Sequence, residues 1–208
     1  MINFVFIGAP GSGKGTQANR LIAEHGYKHV STGDLLRSEV ASGSELGVEI
    51  KAIIDSGALV NDDVVLRLLE SNCDLSEGAF IFDGFPRNLA QCETLDRFCG
   101  DFPKKALLFD VDFESLIERI INRRVAPESG AIYNLITNPP KIEGICDVSG
   151  EELVHRKDDK EEVVRKRIQV YASHQAEMVE FYSKKGELVR IDANLSTEEV
   201  YEQVLKNI

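Results

Sequence analysis

Residues 8–17 constrain this chain more than any other stretch: Gly8, Ala9, Pro10, Gly11, Ser12, Gly13, Lys14, Gly15, Thr16, Gln17. A glycine, four residues, then Gly13 and Lys14 is the P-loop spacing. Gly15 stands where a hydroxyl residue is usual, and Thr16 follows it. The apolar run Ile2, Asn3, Phe4, Val5, Phe6, Ile7 predicts a buried strand just before, and residues 17–23 carry a helical pattern. Strand, glycine loop, helix is the setting the motif needs. Glycines let the backbone curl round a phosphate without Cβ clashes, with successive N–H groups turned inward. The helix start adds partial positive charge. Lys14 supplies a mobile cation for the β- and γ-phosphates, and a neighbouring hydroxyl can hold Mg²⁺. The loop alone says nucleotide phosphate; ATPases, GTPases and small-molecule kinases share it.

The 208 residues allow one domain with small insertions. A formal net charge of −11 argues against nucleic acid or an anionic membrane as a partner held by bulk attraction. A small polyanion remains compatible if arginines gather in one cleft. The cysteines at 73, 92, 99 and 146 form no Cys-x-x-Cys pair and suggest neither a zinc site nor a disulfide scaffold, which predicts reduced thiols in a cytoplasmic protein. No basic leader or long apolar run is present, so no targeting segment or membrane span is expected.

A turn and short strand at 26–30 and further apolar runs at 79–83, 105–111 and 188–192 alternate with helical patterns. Strands apolar on both sides, alternating with helices, predict an α/β fold: a parallel five-stranded sheet flanked by helices. Two stretches interrupt it. Residues 31–60 read as short helices at 34–42 and 45–56, with Ser31, Thr32 or Asp34 able to cap the first and Asn61 or Asp62 the helix that follows. Residues 125–160 lose helical periodicity and hold Pro127, Pro139, Pro140 and glycines at 130, 144 and 150; Val125, Ile132 and Tyr133 could form short antiparallel strands. An insertion of that length predicts a lid or binding role. Residues 113–124 are expected to be one helix, with Arg119 and Arg123 on a shared face. Ser196 and Glu199 have capping-box spacing before a closing helix.

Taken together, residues 8–16, Ser31 to Arg37, Gly57 to Val60, Asp83 to Arg87, Arg119 to Arg124, Arg156 to Asp159 and Arg165 to Arg167 resemble the adenylate kinase family along essentially the whole chain. The resemblance implies a P-loop NTPase-like fold with two small inserted domains. The core would comprise 1–30, 61–124 and 161–208, the nucleoside-monophosphate-binding insertion 31–60, and the lid 125–160. It implies an ATP:AMP phosphotransferase, Mg-dependent and reversible, with ATP, AMP and ADP as ligands and a monomeric state. A kinase for UMP or CMP, or one using GTP with AMP, is the alternative.

On the same resemblance, Gly11, Ser12, Gly13, Lys14, Gly15, Thr16, Arg119, Arg123, Ile132 and Tyr133 would bind ATP. AMP would fall to Thr32, Gly33, Arg37, Leu59, Val60, Gly84, Arg87, Gln91, Arg156 and Arg167, with Thr32 and Gln91 recognising adenine. Lys14, Arg87, Arg123, Arg156, Arg167 and Asp158 would carry catalysis, and Thr16 and Asp83 would lie near Mg²⁺, largely through water. Planar guanidinium forks suit phosphate. Asp158 and Asp159 would pair with arginines, Asp158 being the better match. Some family members hold zinc in the lid; the matching positions here are read as Ser129, Ile132, Ser149 and Glu152, which make no soft tetrahedral site. Ala126 and Cys146 stand where a His and an Asp are common in metal-free lids, and Ala131 where an arginine often occurs.

Overall fold

Alternation along the first strand sets the architecture. In β1 (Asn3–Gly8), Phe4 and Phe6 face one side and Val5 and Ile7 the other, and all four are essentially inaccessible. The computed structural model describes residues 2–208. β1 lies at the centre of a parallel sheet with β2 (Lys28–Ser31), β3 (Phe80–Asp83), β4 (Lys104–Asp110) and β7 (Leu188–Asp192), in the order β2-β3-β1-β4-β7. The expected five-stranded α/β sheet is therefore present. Two apolar clusters, one on each face, bury it. Phe4, Phe6, Leu107 and Phe109 pack towards α1 (Lys14–His25), α6 (Phe113–Ile121) and α8 (Thr197–Leu205). Val5, Ile7, Phe82 and Leu108 pack towards α4 (Asp62–Asn72) and α5 (Leu89–Cys99). The long α7 (Glu161–Lys184) gives Val164 and Ile168 to the first cluster and Met178 and Tyr182 to the second. Each such large side chain stabilises the fold by about 1.5–3 kcal/mol relative to exposure.

Between β2 and β3 the chain makes α2 (Thr32–Ser42) and α3 (Glu45–Asp55) before α4. The Ser31 side chain accepts from the backbone N–H of Asp34 and so caps α2; Asn61 accepts from Asp63 N–H and caps α4. Ser196 and Glu199 complete the expected capping box on α8.

One boundary differs from expectation. α6 ends at Ile121, and Arg123 lies in β5 (Arg123–Val125), paired antiparallel with β6 (Ile132–Asn134). Arg119 and Arg123 thus do not share a helix face. The ladder claims the backbone of residues 123–125, and Leu135 N–H donates to Asn122 O at 3.0 Å, so pairing across the hairpin overrides helical spacing. The hairpin register, Val125 opposite Ile132, matches the expected short strands.

Residues 125–160 carry their own small core of Ala126, Tyr133, Cys146 and Leu153. The Glu151 carboxylate accepts from Glu128 N–H (2.7 Å), Ser129 N–H (2.9 Å) and Ser149 Oγ (2.7 Å). Burial opposes its charge, but these hydrogen bonds, Ser149 first, hold its pKa down to about 2. The four positions matched to zinc ligands are not gathered. Ser129 and Ser149 meet at 3.4 Å, and the third side chain beside Ser129 is Cys146, at 3.6 Å. Ile132 instead reaches the P-loop, its Cδ1 standing 3.4 Å from where a Cβ on Gly15 would be. Glu152 pairs through its backbone with Ile145. The turns 126–131 and 146–151 repeat one backbone hydrogen-bond pattern, and this pairing, rather than the spacing used above, sets Ser129 beside Cys146 and Ser149.

Candidate active site

Open α/β sheets bind ligands beyond the carboxyl ends of their strands, and the ends of β1, β2 and β3 deliver Gly8, Ser31 and Asp83 to one edge. A cleft of about 1300 Å³ opens there, with a smaller pocket beside it lined by Thr32, Leu59, Val60 and Gln91. That exceeds the roughly 300–1,000 Å³ of a single small-ligand pocket.

The P-loop forms the floor. Gly11 and Gly13 take φ of 81° and 91°, a region closed to most side chains, and Gly13 is the N-cap of α1. Thr16 lies inside the first turn, so its hydroxyl is not spent on capping. Lys14 Nζ donates to Gly8 O (2.7 Å), Ala9 O (3.0 Å) and Ser12 Oγ (3.2 Å). Burial, with Arg87, Arg167 and Arg123 nearby, pushes its pKa down to about 8 against the pull of Asp83.

Arginines from several surrounding elements converge on the same cleft: Arg37 from α2, Arg87 after β3, Arg119 from α6, Arg123 from β5, Arg156 from the end of the 125–160 insertion and Arg167 from α7. Burial and then the other guanidiniums lower Arg87 and Arg156 to about 10 each. Positive charge is concentrated here in a chain of net charge −11, the pattern a small polyanion requires.

Carboxylates hold the arginines in place. Asp159, fully buried, accepts from Arg123 Nε at 2.8 Å and from Nη2 at 2.5 Å, and from Arg167 at 3.3 Å. Asp158 lies with Oδ2 2.9 Å from Arg167 Nη1, which also donates to the Asp158 carbonyl at 2.9 Å. Asp159 rather than Asp158 is thus the better-connected partner. The turn Lys157–Asp159 points both acids inward, so both pair with cleft arginines as expected, and Asp159 also meets Arg123 on β5. Asp34 accepts from Arg37 at 2.5 Å and stands 3.6 Å from Arg156, linking α2 to the far insertion. Arg119 donates to Ala193 O at 3.4 Å. Asp83 lies 3.5 Å from His29 Nε2; burial opposes its charge, but His29 and then Lys14 hold its pKa below the usual range.

On the smaller pocket, Thr32 Oγ1 donates to Asp83 O at 3.4 Å and Arg87 Nε to Gly84 O at 2.7 Å. Gln91 is buried there with its amide engaged at both ends. Ile132 and Tyr133 both line the cleft, Ile132 above Gly15, and the Tyr133 hydroxyl turns into the insertion, accepting from Asp147 N–H at 2.8 Å. Asp34 and Asp62 are legible in the sequence only as candidate helix caps, and His29 and Glu151 not at all, because their contacts with Arg156, Gln91, Asp83 and the Glu128–Ser129 backbone are remote in the chain.

Residues 6–187 match the family model described as adenylate kinase. An adenylate kinase of Thermodesulfovibrio yellowstonii is 45% identical over 98% of this chain and 97% of its own length. Those of Chloroherpeton thalassium (41%; 98% and 96%) and Kosmotoga olearia (42%; 100% and 99%) are similar throughout as well. The chain belongs to the adenylate kinase family. Membership brings the family's activity, a phosphotransferase reaction acting on ATP and AMP. The adenylate kinase reaction handles four phosphates at once, and the ring of arginines over a P-loop is chemistry of that kind.

Proposed function

We propose that this adenylate kinase catalyses ATP + AMP = 2 ADP by in-line transfer across the cleft, with the donor over the P-loop and the acceptor in the side pocket. The observation that carries this is the convergence of Lys14 with Arg37, Arg87, Arg119, Arg123, Arg156 and Arg167 on one volume. The N–H groups of residues 11–16 cradle the donor phosphates, and Lys14 follows the transferring phosphoryl group. Arg37 and Arg87 hold the acceptor phosphate. Arg123, Arg156 and Arg167 offset charge on the transferring group, with Asp158 and Asp159 fixing their forks. Arg119 and Ile132 flank the donor nucleotide; Thr32, Gly33, Leu59, Val60, Gly84 and Gln91 form the acceptor pocket. Transfer of this kind asks for alignment and charge neutralisation more than for a general base.

Thr16 and Asp83 offer a hydroxyl and a carboxylate on the cleft wall. Hard oxygen donors of this sort, few in number, fit Mg²⁺, which takes one or two protein ligands alongside substrate phosphates. When bound, Mg²⁺ supplies charge neutralisation at the phosphate oxygens.

The insertions 31–60 and 125–160 act as mobile covers, the first for AMP and the second as a lid, whose closure excludes water from the transferring phosphoryl group. The boundary between them is bridged by Asp34 and Arg156. The enzyme works as a cytoplasmic monomer: its four cysteines are free, as a reducing compartment favours, and its net charge makes copies repel. Among the described residues no helix is long and apolar enough to cross a membrane.

A coupled assay offering AMP, UMP and CMP as acceptors, and ATP or GTP as donor, tests the assignment. Efficient turnover is expected with ATP and AMP; failure to use AMP overturns it. Fluorescence transfer between dyes on the two insertions tests closure, since a bisubstrate inhibitor is expected to shorten the distance.

A further inference from the structure

Gln91 is only 2% exposed, and groups of fixed polarity hold its amide at both ends. The Arg87 N–H donates to Oε1 at 2.7 Å, and Nε2 donates to Asp62 Oδ1 at 2.5 Å. A backbone N–H can only donate and a carboxylate can only accept. Reversing the amide would set Oε1 against a carboxylate oxygen and the NH₂ against an N–H. The orientation, ordinarily ambiguous for an amide, is here determined by its neighbours. Asp62 is available for this because Asn61, not Asp62, caps α4.

Each end of the amide keeps one unused valence: a second proton on Nε2 and a second lone pair on Oε1. Gln91 lines the smaller pocket with Thr32, Leu59, Val60 and Gly84. A 6-aminopurine presents a donor at N6 beside an acceptor at N1. A 6-oxopurine presents the reverse, an acceptor at O6 beside a donor at N1. An amide free to turn over satisfies either base; one locked in a single order satisfies only the first, and leaves buried polar groups facing like partners with the second.

We infer that Asp62 is a specificity-determining positioning residue: by locking the Gln91 amide it selects 6-aminopurine over 6-oxopurine monophosphates at the acceptor site. The inference rests on the reading of Gln91 as the group that recognises the acceptor base. The simpler role for Asp62 is an acidic residue in the first turn of a helix. That role predicts equal effects on all acceptors.

The test is kcat/KM with ATP and either AMP or IMP, which differ at the 6-position, in the wild-type enzyme and in Asp62→Asn, Asp62→Ser and Gln91→Leu. An asparagine can turn its own amide to match either order of Gln91; the Arg87 N–H remains as the second lock, so the loss is partial. The expected result is an AMP:IMP selectivity reduced about tenfold in Asp62→Asn, the scale of one hydrogen bond to a charged group. Gln91→Leu is expected to lose most of the selectivity. Asp62→Ser, which removes the carboxylate with a smaller side chain, serves if Asp62→Asn folds poorly, thermal melting being followed for both. Equal loss with both acceptors, or unchanged selectivity in the Asp62 variants while Gln91→Leu loses it, overturns the role of Asp62 and leaves that of Gln91. Unchanged selectivity in Gln91→Leu overturns base reading by Gln91, and the inference with it.

Discussion

Arg123 lays its guanidinium side-on against Asp159, with Nε to Oδ2 at 2.8 Å and Nη2 to Oδ1 at 2.5 Å, and the carboxylate is fully buried. Arg167 reaches the same carboxylate at 3.3 Å. One acid therefore ties the base of the hairpin to α7. Removing one partner of a buried pair leaves uncompensated charge, and Asp159→Ala is expected to lower unfolding stability by about 3 kcal/mol. Urea denaturation measures this; a midpoint within error of the wild type would show that water or Asp158 takes over the two arginines.

Among the described residues Lys14 Nζ donates to carbonyl and hydroxyl oxygens, and burial lowers its pKa from 10.5 to about 8. Lys14→Met keeps the length of the chain and removes the charge. Turnover is expected to fall about 10²- to 10³-fold, the scale for losing one preorganised donor to developing charge. Stability should move the other way. The unfolded chain holds the lysine proton more tightly than the folded one, so wild-type stability rises as pH climbs from about 8 towards 10.5. The methionine variant lacks this slope, so its advantage is largest at neutral pH and shrinks through that window. Melting curves across pH 7–10 would show it, and a variant less stable at pH 7 would count against the burial account.

Much of this architecture is legible in the sequence because it is local. Strands such as Ile81 and Phe82, apolar on both faces, announce a covered parallel sheet, and Gly11, Gly13 and Lys14 announce a phosphate loop. Arg37, Arg87, Arg156 and Arg167 reach one cleft, but sequence alone assigns them only through resemblance, since no spacing connects residue 37 to residue 167. What sequence misses is long-range or competitive. Arg123 leaves its helix because residues 132–134 offer a strand to pair with. Asp159 joins Arg123 across 36 residues, and Asp62 meets Gln91 across 29, through side-chain directions that no periodicity encodes.

The carboxylate of Glu151 pins the N–H groups of Glu128 and Ser129 inside the 125–160 insertion. Its folded pKa of about 2 lies below the ordinary 4.5, so its contribution is complete above about pH 4.5 and is lost as pH falls towards 2. Amide hydrogen exchange at Glu128 and Ser129 is expected to speed up in Glu151→Ala at neutral pH. In the wild type, protection beyond the intrinsic rate should persist to pH 4 and fade below it. Protection that survives the alanine substitution would mean that the hairpin ladder alone orders this loop.

Gly47 of α3 packs directly on the backbone of α2. A Cβ there would lie 2.3 Å from Glu39 O and 3.1 Å from Val40 Cα, both backbone atoms that no rotamer change can move. Alanine is the better helix former by about 1 kcal/mol, yet here the two helices would have to part, and overpacking of this kind costs about 1–3 kcal/mol. α2 carries Arg37, and the turn after α3 carries Leu59 and Val60, so the displacement reaches the pocket proposed for the acceptor rather than the P-loop. Gly47→Ala is expected to raise the KM for AMP several-fold while leaving that for ATP nearly unchanged. Initial rates with each substrate varied in turn give the two constants. An equal rise in both would mean that the strain spreads through the sheet instead of staying within the helical insertion.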